Sequence, residues 1–276
     1  MSFARFMTLK SFRKFHPDWK INLILDQNEK FKTWKSVERQ DEMAGVNYID
    51  NLDELNITTY NMNNLEDLGW FVSPNFEHLD KSYVHTKDTL NWWLLYSEGG
   101  VVADMDILFI KSIDGLIDRL NDKNIDVALF EFDGFPKPGY MPVSFMVASP
   151  SQPMIKQCFD NAVSNYDPEK YESCGSPCFP PASLKEMIIK YPETKFGKLK
   201  SPIIFPTCSF EYSEGLQKLF VEDIYSQFPQ ETCGIHWYGG SQLSSAWSKT
   251  IDEYNYKEYK NTMTTAINKI LEQNNE

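Results

Sequence analysis

Two aspartates, Asp104 and Asp106, interrupt an apolar run in the segment LLYSEGGVVADMDILFI, residues 94–110. A carboxylate among valine, isoleucine and leucine side chains costs free energy unless a positive group meets it. Alternation along a strand would point both aspartates to the same side, with Met105 turned inward. The pair could then bind one Mg²⁺ or Mn²⁺ ion, because these hard cations prefer carboxylate and phosphate oxygens. Such a cation would also attract a diphosphate and neutralise it as a leaving group.

The residues just before this pair fit the same chemistry. Gly99 and Gly100 leave room for a ligand to approach the backbone closely. Asp88 and Asn91 are three residues apart in a predicted helix and share a face that could contact sugar hydroxyls. Each feature also has an ordinary explanation, since Asp-x-Asp and Gly-Gly are common in turns and Asp88 could be a solvated helix residue. The occurrence of all these features in this order favours a ligand-binding site.

A second candidate group lies in CGIHWYGGSQLSSAW, residues 233–247. His236 follows a predicted strand and could contact a metal ion or a pyrophosphate, although a lone histidine is more often structural. Trp237 could stack on a sugar or a base, or pack in the core. Ser241 is a candidate phosphate contact.

Two further carboxylates, Glu131 and Asp133, end another predicted strand. Polar groups at the ends of strands in α/β sheets often meet ligands. These two could orient an acceptor hydroxyl or act as a general base, or they could be loop residues that face water.

Predicted helices and strands alternate along the chain and must position these residues. This alternation, without an internal repeat, predicts a single α/β domain. Ser2 is a possible N-cap of the first helix, and Gly99 can end the helix before the aspartates in the left-handed conformation. Helices are predicted near 3–15, 86–98, 152–166, 181–191 and 256–273, with a polar helix before 126. Strands are predicted near 19–26, 58–60, 101–103, 107–110, 126–132, 143–149, 202–206 and 233–236.

The overall charge narrows the class of partner. The formal net charge of −12 over 276 residues argues against nucleic acid and against electrostatic docking on an anionic membrane. No apolar run is long enough to span a bilayer, and the first residues lack the apolar stretch of a signal peptide. The five cysteines form an odd count, which favours reduced thiols. We therefore predict a soluble, cytoplasmic protein.

The segment KDTLNWWLLYSEGGVVADMDILFIKSI resembles the DXD sugar-binding region of a glycosyltransferase family. This family includes fungal initiating mannosyltransferases, bacterial and viral capsular-sugar transferases and, distantly, clostridial glucosylating toxins. Its pattern reads Asp-x-x-Arg, a helix ending in Leu-Tyr, Gly-Gly, an apolar residue, an aromatic residue and Asp-x-Asp. Asn91 stands where the family has arginine. The matching residues are Asp88, Leu95, Tyr96, Gly99, Gly100, Asp104 and Asp106.

The resemblance implies one GT-A-type domain over 1–276, with a mixed, mostly parallel sheet flanked by helices. Residues 1–110 would bind the nucleotide sugar, and 111–276 would bind the acceptor and close over the donor. It also implies Mn²⁺ or Mg²⁺ on Asp104 and Asp106, with His236 as a further ligand. Asp88 and Asn91 would contact the sugar of a UDP- or GDP-sugar. The acceptor would be a glycan, a lipid-linked saccharide or a protein, and the anomeric configuration would be retained.

Two other classes of function remain open from the sequence. A metal-dependent nucleotidyltransferase or phosphohydrolase also uses paired carboxylates, although no glycine-rich phosphate loop of the G-x-x-x-x-G-K type is present. A degenerate module that binds a sugar nucleotide or a glycan without turnover is the other. Asn91 motivates this reading, as does a start at the first helix without the strand that precedes it in relatives.

Overall fold

The computed structural model describes residues 1–25, 46–61, 83–130, 142–164, 188–206 and 212–272. A 3-10 helix covers Tyr48–Leu55. The α-helices are α1 (Phe3–Phe15), α2 (Tyr83–Ser97), α3 (Asp114–Asp122), α4 (Pro153–Ser164), α5 (Tyr212–Val221), α6 (Gln242–Thr250) and α7 (Thr262–Glu272). The strands are β1 (Asn22–Leu25), β2 (Thr58–Asn61), β3 (Gly100–Ala103), β4 (Ile107–Phe109), β5 (Val127–Phe130), β6 (Phe145–Ala148), β7 (Phe196–Leu199), β8 (Ile204–Phe205) and β9 (Gly234–His236).

The described strands form three sheets. One has the order β3-β6-β5-β7, a second has the order β4-β9-β8, and β1 pairs with β2. The pairs β1–β2, β5–β7 and β8–β9 are parallel, whereas β3–β6, β5–β6 and β4–β9 are antiparallel. The predicted α/β fold with mixed sheets flanked by helices is confirmed. Parallel pairings make up half of those described rather than most of them.

Helix α1 covers the edge of the sheet that contains β4. Its N-terminus is capped as predicted, since the Ser2 hydroxyl accepts a hydrogen bond from the Arg5 N–H at 3.3 Å. Strand β4 lies at an edge of its sheet and therefore has free backbone groups. The Phe109 N–H donates to the buried Ser11 hydroxyl of α1 at 2.9 Å. This bond fixes the helix against the strand that follows the two aspartates.

The last helix, α7, supplies part of the main core. Met263, Ala266, Ile267 and Ile270 are buried, and their three- and four-residue spacing places them on one face of the helix. Tyr259 lies before the helix and is only partly buried. Among the residues that the structure describes, no helix is both long and apolar enough to cross a membrane.

Candidate active site

The two aspartates lie in the turn that carries the chain from β3 in one sheet to β4 in another. Strand β3 ends at Ala103, and the Ile107 N–H donates to the Asp104 carbonyl at 3.1 Å, closing the turn. The expectation that strand alternation points both carboxylates the same way is therefore wrong. The turn makes them converge instead, while Met105 packs against the core as expected.

His236 joins the aspartates because β9 pairs with β4. Ile107, the residue directly after the motif, is the antiparallel partner of His236. The His236 Nε2 atom lies 3.1 Å from Asp106 Oδ1. One potential ligand atom from each of Asp104, Asp106 and His236 lies within 4.8 Å of the other two. Two carboxylates and an imidazole form a donor set that suits Mn²⁺, so these residues fit a divalent cation.

Lys87, at the start of the described side chains of α2, lies between two carboxylates. Its Nζ atom is 2.7 Å from Asp104 Oδ1 and 2.9 Å from Asp88 Oδ1. The structure thus brings Asp88 beside the motif through Lys87, and Asp88 itself is only 1 % exposed. Sequence reasoning missed Lys87, although a signal was available: it is the single Lys or Arg of the segment 83–110.

The two aspartates have opposite pKa shifts. Burial raises the pKa of Asp104 to about 6, with a contribution from nearby Asp106 and against the opposing effect of Lys87. Burial alone would also raise the pKa of Asp106, but His236, Arg5 and the Gly239 N–H together hold that pKa well below its usual range. The carboxylates of Asp104 and Asp88 outweigh burial and raise the pKa of Lys87.

The glycine turn after β9 folds around Asp106. The Gly239 N–H donates to Asp106 Oδ2 at 2.7 Å, and the Trp237 N–H donates to the Asp106 carbonyl at 2.9 Å. Tyr238 has a φ of 47° and stacks on the His236 ring, with ring centroids 3.6 Å apart. These contacts leave Asp106 only 8 % exposed and position His236 against it.

The two glycines before β3 have different roles. Gly99 has a φ of 69° and ends α2 as predicted. A Cβ atom on Gly99 would lie 2.6 Å from Pro150 Cδ, so this glycine admits another part of the chain rather than a ligand. Gly100 has a φ of 93°, and among the described residues a Cβ atom there would meet nothing within 4 Å. Gly100 therefore keeps the open space expected beside a ligand.

Trp237 and Ser241 both make contacts within the protein. Trp237 is 1 % exposed and packs in the core beside Trp247, with ring centroids 6.1 Å apart. Its indole has no free face for a sugar or a base. The Ser241 hydroxyl caps α6 by accepting a hydrogen bond from the Ser244 N–H at 3.2 Å.

The remaining predicted residues are only partly placed. Asn91 is half-buried on α2, one helical turn after Asp88. Glu131 and Asp133, the predicted acceptor-side residues, lie outside the described residues.

Residues 5–124 match the family model described as "Glycosyltransferase sugar-binding region containing DXD motif". The matched segment contains most of α1, all of α2 and the turn with Asp104 and Asp106. Over residues 5–124, this match confirms the predicted resemblance to DXD-motif glycosyltransferases and supports the predicted class of enzyme, a glycosyltransferase.

Comparison with solved structures finds similarity to PaToxG Glycosyltransferase. That match covers 97 % of this chain and 81 % of the other, with 15 % sequence identity and a TM-score of 0.48. A search of curated protein sequences found no significant match.

Proposed function

We propose that this protein is a metal-dependent glycosyltransferase that transfers one sugar from a UDP- or GDP-sugar to a hydroxyl of a glycan, a lipid-linked saccharide or a protein, with retention of configuration. The observation that carries the proposal is the convergence of Asp104, Asp106 and His236, whose ligand atoms lie within 4.8 Å of one another. A protein with a net charge of −12 needs a local positive centre to bind a diphosphate, and a divalent cation supplies one.

Asp104, Asp106 and His236 would hold Mn²⁺ or Mg²⁺. Such an ion stabilises the negative charge that develops on a leaving diphosphate. The protein's own part is to fix the ligands: the turn between β3 and β4 positions both carboxylates, and the Gly239 N–H bond holds Asp106. Asp88 and Asn91 of α2 would orient the transferred sugar, and the open space at Gly100 would admit it. Asp88 lies close to the motif, because the Lys87 Nζ atom contacts both Asp88 and Asp104.

The test measures release of the nucleoside diphosphate from a panel of UDP- and GDP-sugars, with and without Mn²⁺, for the wild type and Asp106→Asn. Asp106→Asn keeps the shape of the side chain but removes its charge, so we expect turnover to fall by about 100-fold or more. Asp160→Asn is the matched control, because Asp160 lies in an exposed ion pair with Lys156 on α4.

The products separate the proposal from its rivals. A nucleoside diphosphate and a transferred sugar support it, whereas pyrophosphate or inorganic phosphate indicates a nucleotidyltransferase or a phosphohydrolase. Donor binding without consumption indicates a binding module. Near-wild-type turnover in Asp106→Asn contradicts the role of Asp106.

A further inference from the structure

The ammonium group of Lys87 already neutralises part of the candidate metal site. Its Nζ atom lies 2.7 Å from Asp104 Oδ1, where the ammonium donates a hydrogen bond, and 2.9 Å from Asp88 Oδ1. These are the distances of strong, charge-assisted contacts. Lys87 is therefore a counter-ion that the chain itself supplies, and it contacts Asp104, the first aspartate of the motif.

The two aspartates of the motif differ in what neutralises them. Asp106 accepts a hydrogen bond from the Gly239 N–H, and this contact can persist while a metal ion binds. Its other neighbour, His236 Nε2, is itself a proposed ligand of that ion. Asp104 contacts Lys87, a full positive charge. A divalent cation at Asp104 would be repelled by this ammonium and would have to share the carboxylate with it.

The Lys87 side chain is more exposed than the two carboxylates that it contacts. The Lys87 side chain is 44 % exposed, while those of Asp88 and Asp104 are 2 % and 17 % exposed. Lysine carries its charge on a flexible four-carbon stem, so the ammonium can turn towards water without repacking of α2. The carboxylates keep their positions because the helix and the turn between β3 and β4 hold them.

We propose that Lys87 is an internal counter-ion of the DXD aspartates that competes with the divalent cation for Asp104 and so sets how tightly the site binds it. Lys87 acts through Asp104 and is a positioning residue rather than a catalytic one. The inference rests on the proposed metal-dependent function, since it requires Asp104 and Asp106 to bind the cation.

The test is direct Mn²⁺ binding to the full chain, measured by electron paramagnetic resonance of free Mn²⁺, without donor or turnover. We expect Lys87→Met to bind Mn²⁺ about fivefold more tightly than the wild type, a modest effect because the Lys87 side chain is partly exposed. Lys87→Arg keeps the charge and should bind Mn²⁺ as the wild type does. Lys156→Met removes an equal charge from the exposed pair with Asp160 and should leave the affinity unchanged.

The outcomes separate this inference from the proposed function. Unchanged or weaker Mn²⁺ binding in Lys87→Met overturns the proposed competition. Equally tightened binding in Lys156→Met also overturns the proposal, because the effect would then come from the overall charge and not from Lys87. Asp106→Asn tests the metal site itself: if that variant binds Mn²⁺ as tightly as the wild type, the proposed site is wrong and the inference fails with it. Lys87→Gln is a second neutral variant and gives the same readout if Lys87→Met does not fold.

Discussion

Single residues in this protein show that one motif can serve the fold and the site at once. The glycine pair before β3 is an example, because Gly99 admits Pro150 while Gly100 borders open space. The sequence placed both glycines in a ligand site because spacing alone does not reveal which atoms approach a backbone. The positive φ of Gly99 was predictable, since a helix followed by Gly-Gly commonly ends in the left-handed conformation.

The different surroundings of the glycines predict different costs of substitution. Gly100→Ala should lower the free energy of unfolding by about 1–2 kcal/mol, the cost of an alanine at positive φ. Gly99→Ala has the same cost of positive φ, and it also places a Cβ atom 2.6 Å from Pro150 Cδ. Gly99→Ala should therefore lower the free energy of unfolding by about 1 kcal/mol or more beyond the loss in Gly100→Ala. Urea unfolding of the two variants and the wild type measures the difference, and equal losses would contradict the packing role of Gly99.

At the scale of elements, the start of α1 and the end of α2 could be predicted from sequence, but the partners of these helices could not. Ser2 and Gly99 are local signals, and the structure confirms the cap at Ser2 and the helix end at Gly99. The convergence of the aspartates with His236 depends on the pairing of β4 with β9. That pairing joins segments far apart in the chain, and local periodicity carries no information about it.

His16 at the end of α1 is another contact that the sequence did not reveal. It is fully buried, with Nδ1 3.0 Å from the Phe12 carbonyl and Nε2 accepting from the Ile113 N–H at 2.8 Å. Nδ1 therefore carries the proton and donates to Phe12, while Nε2 must stay unprotonated to accept. This single side chain connects α1 to the start of α3.

The His16 contact predicts a pH dependence of stability. Burial lowers the pKa of His16 below its ordinary value of 6.5 in the folded protein. Its stabilising contribution is thus complete above the unfolded-state pKa and is lost as the pH falls through the folded-state pKa. We expect the wild type to exceed His16→Gln in free energy of unfolding by about 1–3 kcal/mol near pH 7.5. The gap should narrow towards pH 5 in urea titrations, and a constant gap would contradict the assignment.

At the scale of the whole molecule, the candidate site connects distant parts of the chain. Asp104 and Asp106 lie in the turn between β3 and β4, which belong to different sheets, and His236 lies at the end of β9. The core beneath is equally shared, since Leu108 of β4, Ile235 of β9 and Ile267 of α7 belong to one buried cluster. A ligand held by all three candidate residues should stabilise the folded chain as a unit, because the unfolded chain does not bring them together.

This connection predicts a thermal shift on Mn²⁺ binding. At about 100 times its dissociation constant, Mn²⁺ should add about 2.7 kcal/mol, which corresponds to roughly 5 °C or more in Tm for a chain of this size. A net charge of −12 also attracts cations non-specifically, so the shift of the wild type alone does not identify the site. Asp106→Asn and Asp160→Asn change the charge equally and therefore separate the two effects. Calorimetry should show the shift lost in the first variant and kept in the second; a shift that persists in both would mean that Mn²⁺ binds to the acidic surface and not to the aspartates between β3 and β4.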